Sequence, residues 1–246
     1  MRWKFILGLL TTCAVLMSMS YTMLIPFLPM YLIQDLGVVK ADVDMWSGAI
    51  FAITFLVSGI MAPIWGALAD KKSRKLMALR AGFCLAITYF LGGLVTNPWE
   101  LLGVRFIQGL SAGLWPALLA IISVESPKLK LGFCLGVMQG GMTAGGVLGP
   151  LFGGLLADQF GMRMAFFIAA AALFLITLAL LFFVKEEPRK PDPNAKPVKI
   201  WDFSLCKIPA VKRMLICAGV VQLTILMQQP IMPLYVAELQ GSMERI

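Results

Sequence analysis

Long apolar runs separated by short charged turns set the pattern of this chain. Uncharged stretches cover residues 5–34, 45–69, 81–99, 106–124, 131–157, 164–184 and 214–237. Each is about the length a helix needs to cross ~30 Å of hydrocarbon. Leu, Ala, Met and Phe fill the runs without period-two alternation, which argues against barrel strands. The pattern predicts seven transmembrane helices, the fourth taking in Arg105 near its start. The first run is twice the usual apolar length of a signal peptide and has no clear small-x-small cleavage site, so it reads as a retained span.

One polar turn repeats. Gly66–Lys75, GALADKKSRK, closes one apolar run and opens the next. Gly66, Leu68, Ala69, Asp70 and Lys75 are matched 88 residues on by Gly154, Leu156, Ala157, Asp158 and Arg163. Five matches at one offset predict an internal duplication. The runs divide the chain into a six-helix bundle (1–184), a cytoplasmic central loop (185–211) and a seventh helix with its flanks (212–246). The loop is proline-rich and densely charged at 185–199, as a solvated linker is. The piece IWDFSLCKIPAV, 200–211, reads as an amphipathic segment on the membrane surface.

Composition narrows the class. The chain is 59% hydrophobic and 14% charged, against about a quarter charged in soluble domains. It contains no histidine, which removes His-based acid–base catalysis and the usual zinc sites. The five cysteines lie in or beside apolar runs without pair spacing, so neither a disulfide nor a metal site is indicated. No cofactor is implied, and no paired intramembrane carboxylates or nucleophile–base spacing suggest an enzyme. The net charge of +8 follows the loops and does not call for nucleic acid. With the N-terminus inside, 17 cations are cytoplasmic, Arg80 among them, and only Lys40, Arg163 and Arg245 are external. That asymmetry predicts a cytoplasmic N-terminus and a multi-pass protein of the cell membrane.

Several residues stand out along the spans. Span one carries Ser18, Ser20, Tyr21 and Thr22, followed by Pro26 and Pro29. It reads either as a cavity-lining helix or as a bent helix whose hydroxyls bond their own backbone. Asp70 ends span two, where it could cap a helix, pair with an arginine such as Arg74, or simply anchor the turn with its cationic neighbours. Glu125 ends span four on the same side. Arg105 lies about 9 Å down span four at 1.5 Å per residue, with Gln108 and Gly109 on the same face. A buried arginine usually faces a cavity or a partner, although snorkelling to the interface is open at this depth. Span five carries Gly141, Gly145, Gly149 and Gly153 at every fourth residue, with Gly140, Gly146, Pro150 and Gly154 beside them and Gln139 just before. Such a stripe favours close packing against another helix.

These stretches together resemble the major facilitator superfamily. GALADKKSRK is similar to its loop signature between helices two and three, with Gly66, Asp70, Arg74 and Lys75 in place. Ser73 stands where the family usually has glycine, which would make the turn less permissive. LLGVRFIQG resembles the helix-four motif at Arg105 and Gly109. AGGVLGPLFGG resembles the helix-five antiporter motif at Gly145, Gly149, Pro150, Gly153 and Gly154, which marks the drug:proton antiporter branch. IPFLPMYL and GGLLADQFGMRMAFFIAA are similar to its multidrug-resistance members.

The resemblance implies an all-α integral membrane protein. Its six-helix N-terminal bundle would be built as a 3+3 inverted repeat, followed by one further helix. It implies a secondary carrier that expels drugs or other small amphipathic compounds in exchange for protons. The gating set would be Gly66, Asp70, Arg74, Lys75 and Glu125; the cavity or coupling set would be Tyr21, Arg105, Gln108 and Gln139. No carboxylate lies mid-span to carry the proton, since Asp35 and Glu125 sit at helix ends. The expected partners are the lipid bilayer, a small-molecule substrate, protons, and a second six-helix half or, failing that, a second copy. The stripe Gly141–Gly153 is expected to lack a partner within this chain. On that reading the chain alone is a non-transporting half-carrier.

Overall fold

The computed structural model describes residues 2–71, 73–185 and 208–224; the side chains of residues 2, 70 and 71 lie outside that description. Six described segments are long and apolar enough to cross a membrane: Trp3–Met23, Lys40–Ala69, Arg74–Leu94, Pro98–Glu125, Lys128–Phe160 and Met162–Phe183. Their helices are α1 (Arg2–Met23), α2 (Leu28–Gln34), α3 (Val43–Lys71), α4 (Arg74–Leu94), α5 (Pro98–Leu110), α6 (Leu114–Glu125), α7 (Leu131–Phe160) and α8 (Met162–Phe183). Residues 209–224 are also helical and almost wholly exposed. The rest of the seventh expected span, most of the central loop and most of the 200–211 surface piece lie outside the described residues.

Two spans are broken. In the first, α1 ends at Met23, Pro26 falls in the gap, and Pro29 stands in the first turn of α2. There its missing N–H would have had no helical partner in any case. In the fourth, α5 stops at Leu110 and α6 begins at Leu114, a break the apolar pattern does not show. Gly113 sits in it at φ 120°, backbone that a side chain would strain. The gaps, 24–27 and 111–113, lie about 88 residues apart. The succession of broken, long and medium span therefore recurs at the offset of the sequence echo.

Helix ends explain the turns. Ser73 caps α4: its backbone is extended at φ −66°, and its Oγ accepts from the Leu76 N–H at 3.1 Å. The turn as formed places no positive φ at this position, and the serine serves as an N-cap. Asn97 caps α5 through the Glu100 N–H at 2.9 Å, and Glu100 reaches back to the Thr96 N–H at 2.8 Å. The first bond satisfies a donor that the first turn leaves free, and the second ties the residue before the cap to the same turn.

The packing follows the repeat. α1 lies along α7, α4 along α8 and α3 along α5. The glycine stripe of α7 is seated on α1 of the same chain, which corrects the expectation that it has no partner here. A Cβ on Gly141 would meet Thr11 Cγ2 at 2.7 Å; one on Gly145 would strike the Val15 carbonyl; one on Gly153 would meet the Met23 carbonyl at 2.5 Å. The contacts climb both helices together, so the two run parallel. Without a Cβ on α7 the backbones approach closely, the main source of helix association in lipid. α3 and α5 repeat the device with the glycine on the other partner: a Cβ on Gly109 would meet the Thr54 carbonyl at 2.8 Å.

The echo residues Lys75 and Arg163 occupy equivalent places. Each is the second residue of its helix, α4 or α8. Lys75 Nζ donates to the Leu181 carbonyl near the end of α8 at 2.6 Å, and Arg163 Nη2 donates to the Val95 carbonyl just past α4 at 3.3 Å. Each cation therefore binds carbonyls at the far end of the partner helix, where the helix dipole favours positive charge.

Two apolar cores fill the bundle, one near each end. One gathers Leu28, Tyr31, Leu32, Leu101, Phe166 and Leu173; the other gathers Ile6, Leu10, Leu118, Ile122, Met138 and Leu180. Met17 and Leu85 touch both.

Candidate functional site

Between the two cores lies a cavity of about 290 Å³. Its wall combines Met17 and Tyr21 of α1, Thr54 and Phe55 of α3, Leu85 and Tyr89 of α4, Gln108 of α5, and Met142 of α7. Ser18, Ser58, Ala81 and Gly109 also face it, and span four adds residues 111–113 of its break and 114–116 at the start of α6. The lining is aromatic, thioether and aliphatic, with a few polar groups among them. Pockets of this kind take small organic molecules, the polar groups fixing their orientation.

Of the expected cavity residues, the structure brings Tyr21 and Gln108 to the wall. Tyr21 packs edge-on against Phe55, and its hydroxyl is buried without a hydrogen-bond partner. Arg105 lies one layer behind. It is 7% exposed and does not line the cavity; instead it occupies a tight crevice with Thr88, Leu101, Phe166 and Gln108. Its Nη1 donates to Gln108 Oε1 at 3.1 Å. The i, i+3 spacing placed that partner on its face, so the side chain turns inward and does not snorkel. Gln139 is exposed on α7, one turn before Met142, and stands outside the wall.

The gating set is partly described. A Cβ on Gly66 would meet nothing within 4 Å. Lys75 is engaged at the end of α8, and Glu125 is half-buried at the end of α6. The side chain of Asp70 lies outside the described residues. At the opposite end, Asp35 Oδ1 accepts from Arg163 Nε at 3.2 Å, a pair with side chains 26% and 42% exposed. Of the antiporter-motif residues, Gly145, Gly149 and Gly153 are buried on α1, Gly154 faces Phe27, and Pro150 is exposed within an unbroken helix.

Four residues that hydrogen-bond to the backbone of the broken spans escaped sequence reasoning. Thr54 Oγ1 donates to the Ile50 carbonyl at 3.0 Å and to the Arg105 carbonyl at 3.4 Å. Tyr89 OH donates to the Ser20 carbonyl at 3.0 Å, beside the span-one break. Trp65 Nε1 donates to the Leu110 carbonyl at 2.8 Å, and Arg80 Nη2 to the Ala112 carbonyl at 2.9 Å, at the span-four break. Arg80 is not a cytoplasmic loop cation, as the charge count had it. It is the seventh residue of α4, half-buried, with its guanidinium 3.4 Å from the Trp65 ring centroid. Its position, at the same depth in its run as Arg105 in span four, was the available signal. Among the described residues no cluster of His, Cys, Asp and Glu could hold a metal ion.

A family profile described as Major Facilitator Superfamily matches residues 10–243. The chain is 38% identical over 248 residues to the multidrug resistance protein MdtG of Citrobacter koseri, covering all of this chain and 61% of that protein. It is 36% identical over 251 residues to MdtG of Yersinia enterocolitica, covering 59% of that one. The chain thus spans about three-fifths of the length of these curated relatives. Among solved structures, it shares its fold with a bacterial homolog of the human lysosomal transporter Spinster in an inward-facing, unoccupied conformation. That match has a TM-score of 0.67 and 23% identity, over 84% of this chain and 48% of the other. The human organic anion transporter MFSD10 gives a TM-score of 0.60 at 21% identity, over 72% of this chain and 47% of that one.

Proposed function

Because the chain belongs to the major facilitator superfamily, we propose that it is the substrate-binding part of a secondary carrier that expels small amphipathic compounds, with protons as the coupling ion. The observation that carries this reading is the cavity between the two cores, walled by Met17, Tyr21, Phe55, Gln108, Trp115 and Met142. Aromatic and thioether groups accept varied apolar shapes, and Gln108, held by Arg105, offers one oriented polar contact. The likeness to multidrug resistance proteins supports the same class of ligand.

Movement across the membrane takes two bundles rocking about a shared site. The second would cover the exposed apolar faces of α3 and α7, where Leu56, Ile60, Leu151 and Leu155 stand out. On this reading residues 1–184 are the bundle, 185–211 the cytoplasmic link and 212–246 a further helix. The N-terminus is cytoplasmic, and Asp70, Arg74 and Glu125 form a charge cluster that holds one state closed.

The test is binding by the purified chain in lipid nanodiscs, followed with a fluorescent amphipathic cation such as ethidium. Saturable binding that Ser58→Trp abolishes by filling the cavity is the expected result, since Ser58 lines the wall. Binding unchanged by Ser58→Trp would overturn the assignment. In vesicles with an imposed pH gradient the chain alone should not move the dye, and gradient-driven movement would refute the need for a second bundle.

A further inference from the structure

The break in span four frees backbone carbonyls at membrane depth. Such groups persist there only where the protein satisfies them. Two side chains from two other spans do so: Trp65 of α3 donates to Leu110, and Arg80 of α4 donates to Ala112. The donors are themselves stacked, guanidinium over indole at 3.4 Å to the ring centroid. Arg80 lies six residues into α4, about 9 Å at 1.5 Å per residue, where an arginine is costly unless partnered. The break supplies the acceptor the arginine needs, and the arginine supplies the donor the break needs. The stack also lies against the turn itself, since a Cβ on Gly113 would meet Arg80 Nη2 at 3.5 Å and Trp65 Cβ at 4.0 Å.

The held segment is the cavity wall. Ser111, Ala112, Gly113, Leu114, Trp115 and Pro116 all line it, whereas Arg80 and Trp65 do not. We propose that Arg80 and Trp65 form a latch that fixes the span-four break and so sets the shape of the ligand cavity. They are positioning residues, acting on the ligand through the backbone they hold. The inference rests on the reading of the cavity as a ligand site. It adds that the wall is held by two donors tied to each other, so that loss of either should release it.

Hydrogen exchange by mass spectrometry on the chain in nanodiscs tests the latch without any ligand. Loss of one hydrogen bond from a charged donor shifts a local opening equilibrium by about ten- to a hundredfold. Arg80→Gln should therefore speed exchange by about tenfold or more in peptides covering 109–117, with little change in peptides covering the span-one break. Trp65→Phe keeps an aromatic ring and removes the Nε1 donor, so it should act on the same peptides; it carries the test should Arg80→Gln fail to insert. The double variant should exceed the larger single effect by little, because the two donors form one unit. Arg80→Lys keeps a cation and loses the planar stack, so it should rescue only in part. Unchanged exchange at 109–117 in a folded variant would overturn the latch, and full rescue by lysine would overturn the role of the stack.

Dye affinity separates the latch from the reading beneath it. Ethidium affinity should fall in Arg80→Gln and Trp65→Phe alongside the faster exchange. If Ser58→Trp leaves binding intact, the ligand cavity is wrong while the exchange result still decides the latch. If Ser58→Trp abolishes binding and the latch variants bind as the parent does, the cavity stands and the positioning role falls.

Discussion

Replacing Gly149 by alanine probes the close seating of α7 on α1. Its added Cβ would lie 2.7 Å from the Met19 carbonyl and 3.0 Å from the Met23 nitrogen, and would strike Thr22 Oγ1. Thr22 can turn aside; the two backbone atoms cannot. Reaching an ordinary contact of 3.4 Å from the Met19 carbonyl requires α1 and α7 to part by about 0.7 Å locally. A gap of that size forfeits a quarter to a half of each neighbouring van der Waals well, and the stripe continues to Gly145 and Gly153 on either side. Overpacking of this kind costs about 1–3 kcal/mol, and the rigid backbone on the receiving side puts Gly149 in the upper half. For a chain of this size that corresponds to a fall of about 4–12 °C in unfolding midpoint. The control is Gly140→Ala on the same helix, where a Cβ would meet nothing within 4 Å. It should leave the midpoint unchanged or raise it slightly, because alanine is the better helix former. Thermal unfolding of both variants in one detergent decides the matter. Equal midpoints would refute the close seating of the stripe on α1.

Arg105→Ala should weaken dye binding several-fold by freeing Gln108, and Arg105→Lys should recover it poorly if the planar fork is what orients the amide; full binding by the alanine variant would dismiss Arg105. Asp35→Asn should cost less than about 1 kcal/mol in thermal unfolding, because the Arg163 pair is partly exposed to solvent, and a larger loss would show the pair to be a structural clamp. Cysteines introduced for Lys40 and Lys72 should be labelled by an impermeant maleimide from opposite sides of sealed vesicles, and labelling of both from one side would reverse the topology drawn from the loop charges.

The spans and their repeat were legible because lipid makes a simple demand on sequence: long uncharged runs, with charge confined to the turns. The break in span one was legible as well, through Pro26 and Pro29. That in span four was not, because its cause is a glycine at φ 120°, and a single glycine in an apolar run has many uses. The stripe on α7 announced a close contact but not its partner. Its complement was present in α1, where Thr11, Val15, Ser18 and Thr22 recur at spacings of three and four. Hydroxylated and β-branched residues alone do not name the helix they meet, and the resemblance pointed to helices beyond this chain. Arg105 and Gln108 were brought together by the geometry of a single helix. Arg80 and Trp65 come from different spans, and no local spacing joins them.

The same asymmetry explains where the cavity lies. A proline or a positive-φ glycine breaks a helix, and residue type makes breakers visible. What keeps a broken helix in place is the set of donors that reach its freed carbonyls, and these come from elsewhere. Here α4 serves both breaks: Tyr89 donates to Ser20 at the first, and Arg80 to Ala112 at the second. The two donors are nine residues apart on a helix that runs unbroken from Arg74 to Leu94. Its own ends are tied to α8, through Lys75 at one and through Arg163 just beyond the other. An unbroken helix fixed to its neighbour and holding two interrupted ones is a frame. The cavity is walled by this helix together with spans one, two, four and five, and the latch proposed above makes its shape depend on how rigidly that frame holds the backbone of span four.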